Sequence, residues 1–322
     1  MIRTFESNFS ARIVEFIQQK RTLGFPYIGS EEILQSFDKF CMERFPNETS
    51  LTKELCLSWA VRRGMEQINS LRCRLSPIRE FAKYLNRIGE PAFIIPPKFV
   101  RKGHRPIPYI YTEEEIAKIW RGFDEIQPLK RFPVRHFVLP AAVRLLYCCG
   151  LRPVETRKLK TCDIDLRTGK VYIRESKGYK DRIVILADDA LEYFKTYNEN
   201  VSRLLPGREW FFPNSNDCIC AKGCLQDAFN RVRVKLEFAQ FGPNIPRLYD
   251  FRHTFATHRL YLWMREGKDL TAMLPYLCAY MGHAQLSDTY YYIHLVPGQL
   301  EAMSGLDFSK YETLLPEVES DE

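Results

Sequence analysis

No stretch of this 322-residue chain approaches 18 uninterrupted apolar residues, so a membrane-spanning helix is not expected. The first 20 residues alternate charged with apolar groups and lack the apolar core of a secretion signal, which points to a cytoplasmic protein. Internal repeats are missing, and the one biased segment is the acidic end from Pro316 to Glu322, with four carboxylates and no base. Paired CxxC knuckles of a zinc site are missing as well. Cys218, Cys220 and Cys224 form CxCxxxC with no fourth ligand close by, so no metal is expected. The ten cysteines are scattered through a long chain without an export signal and read as reduced thiols. Cys148 and Cys149 fall in an apolar helical run, where they pack as small hydrophobes.

What is present suits two domains, since single cores rarely grow past about 250 to 300 residues. Lys and Arg number 47 against 40 Asp and Glu, a formal charge of +7 that suits an anionic partner. The first hundred residues read as helices separated by turns. Ser30 can cap one in which Ile33, Leu34, Phe37, Phe40, Cys41 and Phe45 form an apolar face. Other helical runs lie near residues 10–20, 51–63 and 65–87. In the last, Leu71, Leu75, Ile78, Ala82 and Leu85 share one face, while Arg72, Arg79 and Lys83 line another. Such a basic line on an isolated helix is more often a solvated face; the alternative is that it follows a phosphate backbone.

Prolines and bases from Pro96 to Pro108, Arg101 and Lys102 among them, break every helical pattern and read as a stiff basic linker. The expected division is a helical domain over 1–95, a linker over 96–109, a second domain over 110–296 and a tail over 297–322. Thr112 followed by Glu115 is a capping box that opens the second domain. A β-hairpin is expected from Val171–Arg174 and Arg182–Leu186 around Lys177-Gly178, with an edge strand near 159–164. Helices should follow near 187–204, 222–237, 248–263 and 269–281. In the tail, Pro297, Leu300, Met303, Leu306, Phe308, Leu314 and Leu315 are too apolar for a free end, and packing on a neighbouring protomer or on its own domain would cover them.

Toward the C-terminus the chain reads Met281-Gly282-His283-Ala284-Gln285-Leu286-Ser287-Asp288-Thr289-Tyr290-Tyr291-Tyr292, placing a Tyr nine residues after a Gly-His pair. Upstream lie Gly150-Leu151-Arg152-Pro153-Val154-Glu155, the Lys177 hairpin with Lys180 and Arg182, and Tyr249-Asp250-Phe251-Arg252-His253. In order and spacing these segments resemble the catalytic boxes of the tyrosine recombinases, the phage-integrase and Xer-type family. The resemblance covers roughly residues 110 to 300 and is architectural only over the first hundred.

That resemblance implies a mainly α protein: a SAM-like helical core-binding domain and a mostly helical catalytic domain with a small three-stranded antiparallel sheet. Arg152 and Arg252 would clamp the scissile phosphate, Arg being suited by its planar fork and permanent charge. Lys177 would protonate the departing 5′-oxygen, His283 would contact the phosphate, and Glu155 and His253 would support them. Tyr292 would attack phosphorus and store the bond energy as a 3′-phosphotyrosyl link, without metal, ATP or cofactor. Its neighbours Tyr290 and Tyr291 read more simply as packing residues. Arg72, Arg79, Lys83, Arg101, Lys102, Lys180 and Arg182 would contact DNA.

One position departs from the family: where most members have His, this chain has Tyr249, whose hydroxyl can donate to phosphate but is no base near neutral pH. Slower cleavage is expected. The implied partners are a duplex recombination site and, on DNA, a homo-tetramer working through a Holliday junction, with paralogous recombinases as candidate companions; the free protein would be a monomer or weak oligomer. The implied role is integration or excision of a mobile element, in a two-domain form without an arm-site domain. A Xer-type resolvase, a type IB topoisomerase and a catalytically impaired DNA-binding accessory protein are the alternatives.

Overall fold

The computed structural model describes residues 3–103, 107–174, 181–237 and 245–293, and the chain divides into two compact units, Met1–Arg105 and Pro106–Glu322. In the first, four helices, α1 (Ser10–Thr22), α2 (Ile28–Arg44), α3 (Lys53–Trp59) and α4 (Ile68–Arg87), enclose a core rich in aromatic rings. Phe16, Phe37, Trp59 and Phe81 are fully buried there, and the Phe37 and Trp59 rings meet edge to face at 5.2 Å. The apolar face expected on α4 is the one that faces this core: Leu71, Leu75, Ile78, Ala82 and Leu85 are all buried. Ile95 and Val100, in or beside the proline-rich stretch, pack into the same core, and Gly103 donates to the Asn69 side chain at 3.1 Å.

Two helix boundaries in this unit differ from the sequence reading. α2 starts before Ser30, at a left-handed Tyr27 (φ 57°). Its first turn is fixed by Glu31, whose carboxylate accepts from the Arg3 backbone at 2.7 Å and from the Arg21 guanidinium at 2.6 Å. α3 is shorter than residues 51–63. Leu51 forms a bridge with Ala92, Thr52 caps the helix by accepting from the Leu55 N–H, and the C-terminal end is drawn onto Arg74. That buried guanidinium donates to the Trp59 carbonyl, to the Val61 carbonyl at 3.0 Å and to both oxygens of Glu66 at 2.8 Å.

The second unit is helical with one small sheet. Thr112 and Glu115 form the expected capping box at the start of α5 (Glu113–Asp124). The apolar α6 (Arg135–Cys148) is the central element and packs against α5, α7 (Pro153–Arg157), α8 (Asp188–Leu204), α9 (Cys224–Lys235) and α10 (Asp250–Arg265). α11 (Leu270–Met281) and α12 (Ser287–Ile293) close the described chain. Strands β1 (Ile164–Asp165), β2 (Lys170–Ile173) and β3 (Arg182–Ile185) pair antiparallel in that order, so the expected mainly helical chain with a three-stranded sheet is what is found. β1 starts later than 159–164, because Leu159 and Lys160 pair with Phe211 and Trp210 instead and a 3-10 turn, Thr161–Asp163, intervenes. Among the described residues no helix is long and apolar enough to cross a membrane.

Removing one partner of a buried ion pair strands the other. Arg74→Ala should therefore lower the stability of the first unit by about 3 kcal/mol, read as a shift in the urea midpoint. A midpoint unchanged from wild type would show that Arg74 is dispensable to the helix junction.

Candidate active site

α6 ends at Gly150, in the left-handed region (φ 59°), where an added Cβ would stand 2.4 Å from the Phe255 ring. Only glycine fits this exit. It directs Arg152 to the N-cap of α7, where its backbone N–H donates to Glu155 Oε2 at 2.9 Å and its Nη1 to Glu155 Oε1 at 2.7 Å. α11 ends likewise at a left-handed Gly282 (φ 64°). The carbonyls exposed at these two helix ends turn toward arginines. Arg152 Nη2 donates to Gly282 O at 2.9 Å, Arg252 Nη1 to Gly150 O at 2.6 Å, and Arg252 Nη2 to Met281 O.

Arg252, on α10, is 1% exposed, and its Nε has no hydrogen-bond partner among the described residues. Arg182, at the start of β3, forms a two-point pair with Glu155 (3.0 and 2.8 Å) and donates through Nε to Tyr280 O at 2.8 Å. The structure thus places Arg182 in a buried ion pair, not on an open groove surface. Because Ile173 and Arg182 are partners in the β2–β3 ladder, this pair also fixes the base of the hairpin. Lys177 and Lys180 fall outside the described residues.

Three guanidinium groups therefore surround one carboxylate. Burial pushes the Glu155 carboxyl up, but the hydrogen bonds and charge of Arg182, followed by those of Arg152, outweigh it and hold the group at about 2. Burial, then repulsion from Arg152, brings Arg252 down to about 10. The same two causes act on His283: burial first, then the charges of Arg252, Arg152 and Arg182, lower it to about 3. Its imidazole is neutral at physiological pH, and the surplus positive charge beside it suits an anion.

His283 Nδ1 lies 2.8 Å from Thr289 Oγ1, a fully buried hydroxyl on α12. Thr289 was not singled out from the sequence; its position three residues before Tyr292, on the same helix face, was the available signal. Tyr292 is 3% exposed, its ring 5.9 Å from and nearly parallel to that of His283 and 5.5 Å from that of His253. Tyr290 and Tyr291 are half-buried, Tyr290 against the α10–α11–α12 core. Tyr249 stands at the N-cap of α10, 38% exposed, with its ring 5.2 Å from that of His253. Tyr249 and Tyr292 both lie close enough to Arg252 to act on its charge.

The structure brings Arg152, Glu155, Tyr249, Arg252, His253, His283 and Tyr292 to one place, with Arg182 joining them. The other candidate DNA contacts among the described residues lie in the first unit. There Arg72 and Arg79 are half-buried, Arg79 Nε donates to Ile95 O at 3.0 Å, and the exposed Lys83 pairs with Glu80 at 2.8 Å. Arg101 and Lys102 are exposed. No group of three or more His, Cys, Asp or Glu side chains among the described residues is placed to hold a metal ion.

A mainly helical unit thus gathers arginines, imidazoles and a tyrosine, and comparison with known proteins gives the class to which it belongs. The sequence pattern of the phage integrase family matches residues 112–298. The Sinorhizobium fredii protein y4rB, described as an integrase/recombinase, is 29% identical over 311 residues, covering 94% of this chain and 98% of the relative. The tyrosine recombinase XerC of Oceanobacillus iheyensis is 29% identical over 236 residues, 70% of each chain. Among solved structures, the XerH site-specific recombinase bound to its palindromic difH substrate matches with a TM-score of 0.64 at 19% identity, over 91% of this chain and 83% of that one, a likeness of fold. The chain belongs to the phage integrase family and is a tyrosine recombinase, of the class of enzymes that cleave and rejoin DNA.

Glu155 is held below its ordinary value of 4.5, so its stabilising contribution is complete above that pH and is lost as pH falls toward 2. Glu155→Gln should flatten this acid limb and cost about 3 kcal/mol at pH 7, measured by denaturant unfolding across pH 2 to 7. A variant whose acid limb matches wild type would show that the carboxylate's charge is not what holds the arginines.

Proposed function

We propose that this recombinase acts on the ends of a mobile element, cutting duplex DNA at specific sites and rejoining it through a Holliday junction, as a tetramer assembled on the DNA. In this reading Arg152 and Arg252 take two non-bridging oxygens of the scissile phosphate, and their carbonyl-bound forks are already oriented before DNA arrives. Tyr292 Oη attacks phosphorus and forms a 3′-phosphotyrosyl bond, while the 5′-oxygen departs with a proton from Lys177. A 5′-hydroxyl from the partner strand then attacks the same phosphorus and releases the tyrosine, so no bond energy is spent and no ATP is needed. His283, neutral and held by Thr289, supplies a hydrogen bond to the phosphate. Arg72, Arg79, Lys83, Arg101, Lys102 and Lys180 are proposed to contact the DNA backbone.

The observation that carries this reading is the enclosure of Tyr292 between the His283 and His253 rings, beside Arg252, whereas Tyr290 packs into the helical core. A role in element mobility is supported by the full-length match to the integrase/recombinase y4rB. The test is a suicide duplex made from the DNA flanking the gene, nicked beside the cleavage position. A covalent protein–DNA adduct should form with wild type and Tyr291→Phe and be lost in Tyr292→Phe; an adduct that survives Tyr292→Phe would assign the attack elsewhere.

A second reading, a catalytically impaired accessory protein, is favoured by Tyr249 alone. A tyrosine there can donate to phosphate but lacks the imidazole that would take up the Tyr292 proton. Tyr249→His would restore an imidazole at a position exposed enough to hold it. Cleavage of the same duplex should accelerate by at least about tenfold, the low end for a positioned general base. An unchanged or slower rate would mean that proton removal is already served by another group.

A further inference from the structure

His283 and Thr289 meet at one hydrogen bond, and its direction fixes which nitrogen of the imidazole can serve a phosphate. A threonine hydroxyl on a helix can donate to the carbonyl four residues back, as Thr254 does to Asp250 at 2.9 Å. Thr289 does not. Its side chain is fully buried on α12, and among the described residues its Oγ1 has a single hydrogen-bond partner, His283 Nδ1 at 2.8 Å. A buried hydroxyl proton without an acceptor is costly, so the proton of Thr289 points at Nδ1. Burial, and then the charges of Arg252, Arg152 and Arg182, keep this ring neutral. In a neutral imidazole one nitrogen accepts and the other carries the hydrogen. Nδ1 accepts, so Nε2 carries the hydrogen, and Nε2 has no hydrogen-bond partner among the described residues.

We propose that Thr289 is a positioning residue that sets His283 in the Nε2–H tautomer, so that the imidazole is a phosphate donor only while α12 is docked with Tyr292 in place. The proposal rests on the reading above in which His283 contacts the scissile phosphate, and adds to it a coupling between donor and nucleophile. The guanidinium charges by themselves favour a bare nitrogen turned toward them, and Thr289 opposes that preference. Once a phosphate offsets those charges, an N–H at Nε2 is the group the anion requires. Thr289 and Tyr292 lie three residues apart on α12, which packs against α10 and α11, so the two side chains dock and leave together. A site from which α12 has departed loses its nucleophile and this donor at once. Water then meets a phosphate that is less polarised than the one the tyrosine attacks.

The test uses the full chain, free of DNA, with isotope-labelled ring nitrogens in its six histidines. Long-range proton–nitrogen correlation spectra show which nitrogen of each ring is bare, and the His283 ring is assigned by its loss in His283→Gln. The hydrogen should sit on Nε2 in wild type, Thr289→Ser and Tyr292→Phe. It should move wholly or in part to Nδ1 in Thr289→Val, which keeps the shape and removes the hydroxyl. On the nicked suicide duplex, adduct formation should slow about a hundredfold in Thr289→Val, the loss expected for one oriented donor, and recover in Thr289→Ser. A wild-type ring with its hydrogen on Nδ1 overturns the proposal, and so does a Thr289→Val chain that cleaves at the wild-type rate. The first of these readouts is made on wild type, so it does not depend on a variant folding. A duplex that yields no adduct with wild type counts against the cleavage reading above, while the spectrum still decides the tautomer.

Discussion

Like charges repel, and the second unit holds three guanidinium groups around a single carboxylate. Glu155 offsets one of those charges and shares its oxygens between Arg152 and Arg182. The rest of the repulsion is met by backbone: the carbonyls of Gly150, Met281, Gly282 and Tyr280 accept from the same three arginines. Helix C-terminal ends carry partial negative charge and unsatisfied acceptors, so two of them, at α6 and α11, are natural seats for cations. The turn off α6, the cap of α7, the base of the hairpin and the end of α11 all take their positions from this cluster.

What remains unsatisfied is positive, and that residue of charge gives the site its chemistry. An anion arriving there meets donors that need no reorganisation, which is the condition for electrostatic stabilisation to act on a transition state. Burial, and then the same field, keep His283 neutral, so that in the DNA-free protein its imidazole serves as a hydrogen-bonding group. A phosphate would relax the repulsion on both His283 and Arg252. Tyr249, partly exposed beside His253, carries a hydroxyl, which is a donor group of the kind an anion there would meet.

The helical class, the capping box at Thr112, the amphipathic face of α4 and the small sheet were legible because each rests on local pattern: periodicity, a cap, an alternation. The segments carrying Arg152, Arg252, His283 and Tyr292 were legible because the chemistry restricts residue type and spacing. What grips the arginines was not, since main-chain carbonyls leave no mark in a sequence. Arg182 shows the difference: as a base near a hairpin tip it reads as a DNA contact, and only the fold brings Glu155, 27 residues away, within reach. Thr289 escaped for a similar reason, its role being set by an imidazole six residues earlier. In the first unit Tyr27 displaced Ser30 as the start of α2, and Arg74, distant in sequence, decided where α3 stops.

The left-handed turn at Gly282 marks where the chain passes from the arginines toward the tyrosine. Upstream, Met281 and Gly282 are bound through their carbonyls to the two arginines; downstream, Tyr292 is the tenth residue after Gly282. Ten residues drawn out fully span at most about 35 Å. In the folded chain that reach is taken up, because α12 is wound, Thr289 is bound to His283 and Tyr292 is buried. Tyr292 and the two arginines are thus joined by a short segment whose fixed end lies at the arginines, and its length bounds how far from them the tyrosine can stand.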